Sequence, residues 1–362
     1  MHNAETPDVR FNEMKLSVAA VGHVANEAYA DWKELRELCL WLHGYCLKVR
    51  HVWKRTLGEH GIDHDLVLDV WKGKADESRL KEFVRLVKSF RADCGSKNRG
   101  AYAETSFAEI IWGQLNVALR HSQRGHNYVL AIEGDAGCGK TTIFRAWAES
   151  NNHGISCYYR AQPCGGLKTM LADLCYINGG DSSQNLSRSW QTVRECFWPG
   201  RVLIIDEAHL LVDEDSQKQR KIEAARTIAD ECGCAVVLGF TDDRFEAAIG
   251  SRYPIRQLTR RGRFIHLHDQ GTDDDIEALV KFRAPKLQIT KSLWTVFHSV
   301  NEHELGGFGG ISNLLIDAEE EADRGRIELT ESVILRCAKM QYDPEKGGKE
   351  KTLRALRRYK GR

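Results

Sequence analysis

No apolar run in the 362 residues approaches the roughly 18–20 that cross a bilayer, so no helical membrane span is expected. The opening MHNAETPDVRFNEMK has no apolar signal core, which argues against secretion. The eleven cysteines form no CxxC pair. They read as buried thiols rather than zinc ligands or disulfides. Neither sign of charge prevails: 52 Lys and Arg against 51 Asp and Glu leave a net charge of +1. Any affinity for nucleic acid must therefore come from local patches and not from a global field. Internal repeats and long low-complexity segments are missing too. What remains, 42% apolar and 28% charged residues, fits a soluble globular protein with room for about two or three domains.

Three changes of texture divide the chain. Residues 1–95 read as helical; DWKELRELCLWLHGYCLKVRHVW sets Leu35, Leu38, Leu42 and Cys46 at three- and four-residue spacing. Residues 96–106 are polar and glycine-bearing and read as a linker. Over 107–272 the runs YVLAIEG, ISCYYR, RVLIID, CAVVLGF and RFIHLHD alternate with helical segments. Buried runs so separated predict an α/β domain with a parallel five-stranded sheet and helices on both faces. Residues 273–342 turn helical again, and 343–362 form a basic tail.

The strongest motif is Gly134-Asp135-Ala136-Gly137-Cys138-Gly139-Lys140-Thr141-Thr142, which follows an apolar strand and opens a helix. That context is the signature of a P-loop. Gly134, Gly137 and Gly139 let the backbone curl so that its N–H groups face phosphate oxygens. The helix start adds its positive end. Lys140 is expected to reach the β- and γ-phosphates of ATP, and Thr141 to hold Mg²⁺.

VLIIDEAH supplies the acidic half. Asp206 emerges from the end of a buried run and is assigned to the magnesium; Glu207 is assigned to the attacking water as general base. His209 reads equally as a polar residue at a helix start. The four letters DEAH also belong to helicases, but such enzymes need two tandem domains of about 150 residues each. Here only about fifty residues separate Asp206 from the arginine cluster in QLTRRGRF, and GFTDD stands where a Ser-Ala-Thr motif is needed. The helicase reading fails on geometry.

With a P-loop, an acidic strand end, a polar residue closing the next strand and arginines after it, the chain resembles AAA+ ATPases over about residues 100–340. More narrowly, it resembles the transposition-regulator group of the phage Mu B protein, TnsC and IstB-type helpers. That resemblance implies a helical lid and an N-terminal helix-turn-helix-like domain around residues 55–90. It implies a nucleotide sensor at Thr241 and an arginine finger at Arg260, with Arg261 next in line. It implies subunits that close into a ring or helical filament around duplex DNA without reading its sequence, and a transposase partner. Arg160, Lys168 and Thr169 fall where an inner DNA-tracking loop is implied. A cytoplasmic setting in a bacterium or phage goes with it.

Two departures stand out. Asp63, Asp65 and Asp69 crowd the helix that would read DNA, and phosphate repels them. Family lids carry an arginine facing the nucleotide where this chain has Ser312 and Asn313. Other readings stay open: a signalling or scaffold ATPase whose N-terminal domain binds protein, and a helicase-loader-type remodeller.

Overall fold

The computed structural model describes residues 17–49, 52–97, 102–134, 137–212, 220–241, 262–267, 271–301 and 307–342. Asp135, Ala136, Arg260, Arg261 and the basic tail lie outside them.

All five expected strands are present: β1 (Tyr128–Gly134), β2 (Ser156–Arg160), β3 (Val202–Asp206), β4 (Ala235–Thr241) and β5 (Gly262–His266). They pair in parallel in the order β2-β3-β4-β1-β5. Alternation sorts their side chains. Leu130, Ile132, Val202 and Ile204 join one core, while Val129, Ala131, Leu203 and Ile205 join the core on the other face. Burial on both sides is why these strands read as continuous apolar runs.

Among the described residues, the N-terminal part is built of five helices: α1 (Val18–Glu27), α2 (Lys33–Val49), α3 (Trp53–Glu59), α4 (His64–Trp71) and α5 (Glu77–Lys97). They enclose a separate core that includes Leu35, Leu42, Trp71 and Phe83. α5 runs to Lys97, so the first part of the expected linker is helical, and α6 (Ser106–Gln123) starts at its end. The first sheet-facing core is built from α6, α7 (Lys140–Ser150) and the four C-terminal helices. Those are α11 (Asp273–Arg283), α12 (Lys291–Asn301), α13 (Gly307–Gly325) and α14 (Glu331–Tyr342). The opposite face is covered by α8 (Leu167–Ile177), α9 (Leu186–Cys196) and α10 (Arg220–Cys232).

α3 and α4 stand where the helix-turn-helix was expected. The turn between them uses Gly61 at φ +68°, a backbone that glycine adopts without a side-chain clash. Leu66, Val70 and Trp71 are buried as expected. The acids of α4 have local duties. Asp63 caps the helix by accepting from the Asp65 N–H at 3.1 Å, and Asp69 pairs with Arg79 of α5. The N-terminal domain touches the sheet domain directly. The Val18 N–H donates to Asn178 O at 2.9 Å, and Lys48 bonds Glu149 of α7. All eleven cysteines are free thiols. No described helix is long and apolar enough to cross a membrane.

Candidate functional site

The site forms at the carboxyl ends of β1, β3 and β4, the crevice where open α/β sheets bind ligands. Its cavity, about 360 Å³, is lined by Gly137 to Ile143, Asp206, Glu207 and Thr241, and by Phe308, Gly309, Ser312 and Asn313 of the C-terminal helices. Residues distant in sequence thus meet around one cavity. Gly137 and Gly139 sit at φ +93° and +90°, where a side chain would strain the backbone. α7 starts at Lys140 immediately after, so its unsatisfied N–H groups face the cavity floor. Lys140 is buried, and its ammonium donates to the Gly134 carbonyl and, at 3.3 Å, to Cys138 Sγ.

Asp206 is 2% exposed. Its Oδ2 accepts from Thr141 Oγ1 at 2.8 Å and from the Tyr158 hydroxyl at 2.8 Å; its Oδ1 accepts from the Glu207 N–H at 3.0 Å. Thr141 Oγ1 and Asp206 Oδ2 fit a magnesium ion. Adjacent corners of an octahedron with metal–oxygen distances of about 2.0–2.1 Å lie about 3 Å apart, and Mg²⁺ takes hard oxygen donors. Bound there with a nucleotide, the ion would neutralise charge on the β- and γ-phosphates.

Glu207 is a non-glycine residue in the left-handed region, at φ 55°. Such a backbone is sparsely populated and clusters at functional sites. It turns the chain from β3 into the short 3₁₀ helix Ala208–Leu211. Glu207 Oε1 lies 3.3 Å from Arg160 Nη2, and His209 Nδ1 lies 3.6 Å from Oε2. Arg160 is thus an exposed arginine at the end of β2, paired with the acid assigned as base. Lys168 and Thr169 are exposed at the start of α8.

Sequence reasoning missed four contributors. Tyr158 bonds the magnesium-side carboxylate oxygen, and burial first, with the Asp206 charge second, pushes its hydroxyl up to about 12. Tyr102 and Arg283 line the cavity from outside every motif. Arg283, at the end of α11, supplies a lid cation from a different helix than the one carrying Ser312 and Asn313. Gly309 brings the start of α13 against the phosphate loop: a Cβ built there would stand 2.9 Å from Gly137 Cα. Only the GGFGG composition around it hinted at a close approach.

Residues 123–247 match the model of a family described as AAA domain. No curated protein matches in sequence. The Aeropyrum pernix ORC1 protein, solved in complex with DNA, superposes with a TM-score of 0.50 at 15% identity. That match spans 65% of this chain and 65% of ORC1. Aeropyrum pernix ORC2 gives 0.49 at 16% identity over 64% of this chain and 66% of its own. The Thermotoga maritima RuvB Holliday junction branch migration motor gives 0.44 at 17% over 67% and 72%. The fold is that of an AAA+ P-loop ATPase, and residues 123–247 match an AAA domain.

Proposed function

We propose that the chain is an ATP-gated switch that assembles on duplex DNA and recruits or activates a transposase, with hydrolysis releasing it. ATP binds between the loop at Gly134–Thr142 and the helical lid. Thr141 and Asp206 hold the magnesium, Glu207 draws a proton from the attacking water, and Thr241 contacts the γ-phosphate side of the cavity. A neighbour's arginine, Arg260 first and Arg261 next, completes the site, so ATP joins adjoining subunits into a ring or filament.

The observation that carries this reading is the Arg160–Glu207 pair. It joins the base to an exposed arginine beside the segment that holds Lys168 and Thr169. A DNA phosphate that draws Arg160 away frees the Glu207 carboxylate, which ties hydrolysis to DNA. Arg160, Lys168 and Thr169 then track phosphates without reading bases. The AAA+ fold shared with ORC1, itself solved with DNA, supports the same reading.

Electron microscopy of Glu207→Gln with ATP and duplex DNA tests it. Rings or filaments on the DNA are expected; solitary particles under every condition overturn it. The acidic exposed side of α4 favours a second reading, a scaffold ATPase whose N-terminal domain binds protein. A salt-dependent gel shift of random-sequence duplex, lost in Lys168→Gln, decides against that alternative.

A further inference from the structure

A cavity of about 890 Å³ lies away from the phosphate loop, where α2 and α5 face α7 and β2. Small-molecule sites span roughly 300–1,000 Å³. Part of its wall is aromatic. Trp41 and Tyr45 stack with centroids 5.7 Å apart, and Phe90 meets them edge-on at 5.7 and 5.0 Å. His60 extends the cluster, 4.4 Å from Phe90.

The rest of the lining is rich in cations. Lys48, Arg91, Arg145 and Arg201 face one carboxylate, Glu149, and that carboxylate is already bonded to Lys48. Among the described residues, no carboxylate lies within ion-pair distance of Arg91, Arg145 or Arg201. Arg201 is only 3% exposed. Its Nη1 donates to the Cys196 carbonyl and its Nη2 to Asn178 Oδ1 at 2.7 Å, while Nε has no partner. A buried guanidinium without a counter-charge is costly, and an anion in the cavity offsets that cost.

We propose that this cavity is a second binding site, separate from the ATP site, for a nucleotide. A base has the π face that aromatic side chains stack on. Guanidinium forks match phosphate oxygens in pairs. An uncharged aromatic ligand leaves the arginines unmatched, and inorganic phosphate leaves the aromatic wall bare. Only a ligand with both halves uses the whole lining.

The site is wired to the ATP site. Arg145 and Tyr158 line it. Arg145 Nε donates to the Tyr158 hydroxyl at 3.3 Å, and its guanidinium lies 5.5 Å from the Tyr158 ring. That hydroxyl in turn donates to Asp206 Oδ2. A phosphate that draws Arg145 away alters the hydrogen bond on the carboxylate oxygen that Thr141 shares. The inference goes beyond the DNA switch and does not depend on it.

The test is calorimetric titration of the full-length Lys140→Ala chain, disabled at the phosphate loop, with AMP, GMP, CMP and UMP in turn. At least one is expected to saturate at one per chain. Arg91→Gln or Tyr45→Leu on that background is expected to weaken it about tenfold or more, the loss of one charged or stacking contact. Both positions are partly exposed, so both variants keep the fold, checked by circular dichroism. Adenosine and inorganic phosphate are expected to bind at least about tenfold more weakly than the monophosphate. Binding of phosphate as tight as the nucleotide overturns the proposal. So does the absence of saturable binding by all four, or binding that both variants leave unchanged. In the wild-type chain the bound monophosphate is expected to change the rate of ATP hydrolysis, and Tyr158→Phe to blunt that response. An unchanged wild-type rate overturns the link to Asp206.

Discussion

Position 309 has no room for a methyl group against the phosphate loop. Gly309 and Gly137 approach backbone to backbone, so a Cβ at 309 has no flexible side chain to displace. Gly309→Ala is expected to push α13 off the phosphate loop and weaken ATP binding about tenfold, near 1.4 kcal/mol. Gly58→Ala, where nothing stands within 4 Å, serves as the control and is expected to leave affinity unchanged. Titration calorimetry compares the two; equal affinities would show that the contact plays no part in holding ATP. The chemistry at the loop separates in the same way. Lys140→Ala is expected to abolish ATP binding at the phosphate loop. Glu207→Gln is expected to retain ATP and lose roughly 10²–10⁴-fold in hydrolysis, the usual worth of a general base. Normal turnover by Glu207→Gln would mean that another group takes the proton.

At the scale of elements, one carboxylate joins the lid to the sheet domain. Asp275 Oδ1 accepts from the Ser106 N–H at 2.6 Å, and its Oδ2 accepts from the Ser106 hydroxyl at 2.9 Å. It also closes a capping box with Thr272 at the start of α11. Burial works to raise its pKa, but the donors from Ser106 and Thr272 outweigh burial and hold it below the ordinary range. A depressed folded-state value means the stabilisation is complete above the unfolded value near 3.9 and fades as pH falls through the folded one. Asp275→Asn is expected to cost about 1–3 kcal/mol locally, seen as faster hydrogen exchange in α6 and α11. Its melting temperature should also lose part of the wild-type acid sensitivity below about pH 4. Unchanged exchange in both helices would remove Asp275 from this role.

The same scale explains what was legible in the sequence. All five strands and the phosphate loop were, because each is a local pattern: an apolar run, a glycine spacing, a helix start. Tyr158, Arg283 and Gly309 were not, because each acts across a long stretch of chain on a partner no local pattern names. The acids at 63, 65 and 69 were legible as an obstacle to DNA reading. Asp63 caps its own helix, and the pairing of Asp69 with Arg79 needed the neighbouring helix. The expected linker was partly helical for a similar reason, since composition alone marks neither helix end.

At the scale of the whole molecule, the described residues form three cores, a helical N-terminal one and one on each face of the sheet; one cavity lies between the N-terminal core and the sheet domain, another between the sheet and the C-terminal helices. The proposed ATP cavity takes its walls from the sheet and the C-terminal helices, so a nucleotide bound there would contact both. With net charge near zero, the proposed DNA binding would depend on which basic groups an assembly aligns, and so on assembly itself. The most direct measurement is retention of random-sequence duplex DNA by the purified chain with ATP, with a non-hydrolysable analogue and with ADP, at one salt concentration. Retention is expected to be strong and lasting with the analogue, transient with ATP and weak with ADP. Equal retention in all three would contradict an ATP-gated switch.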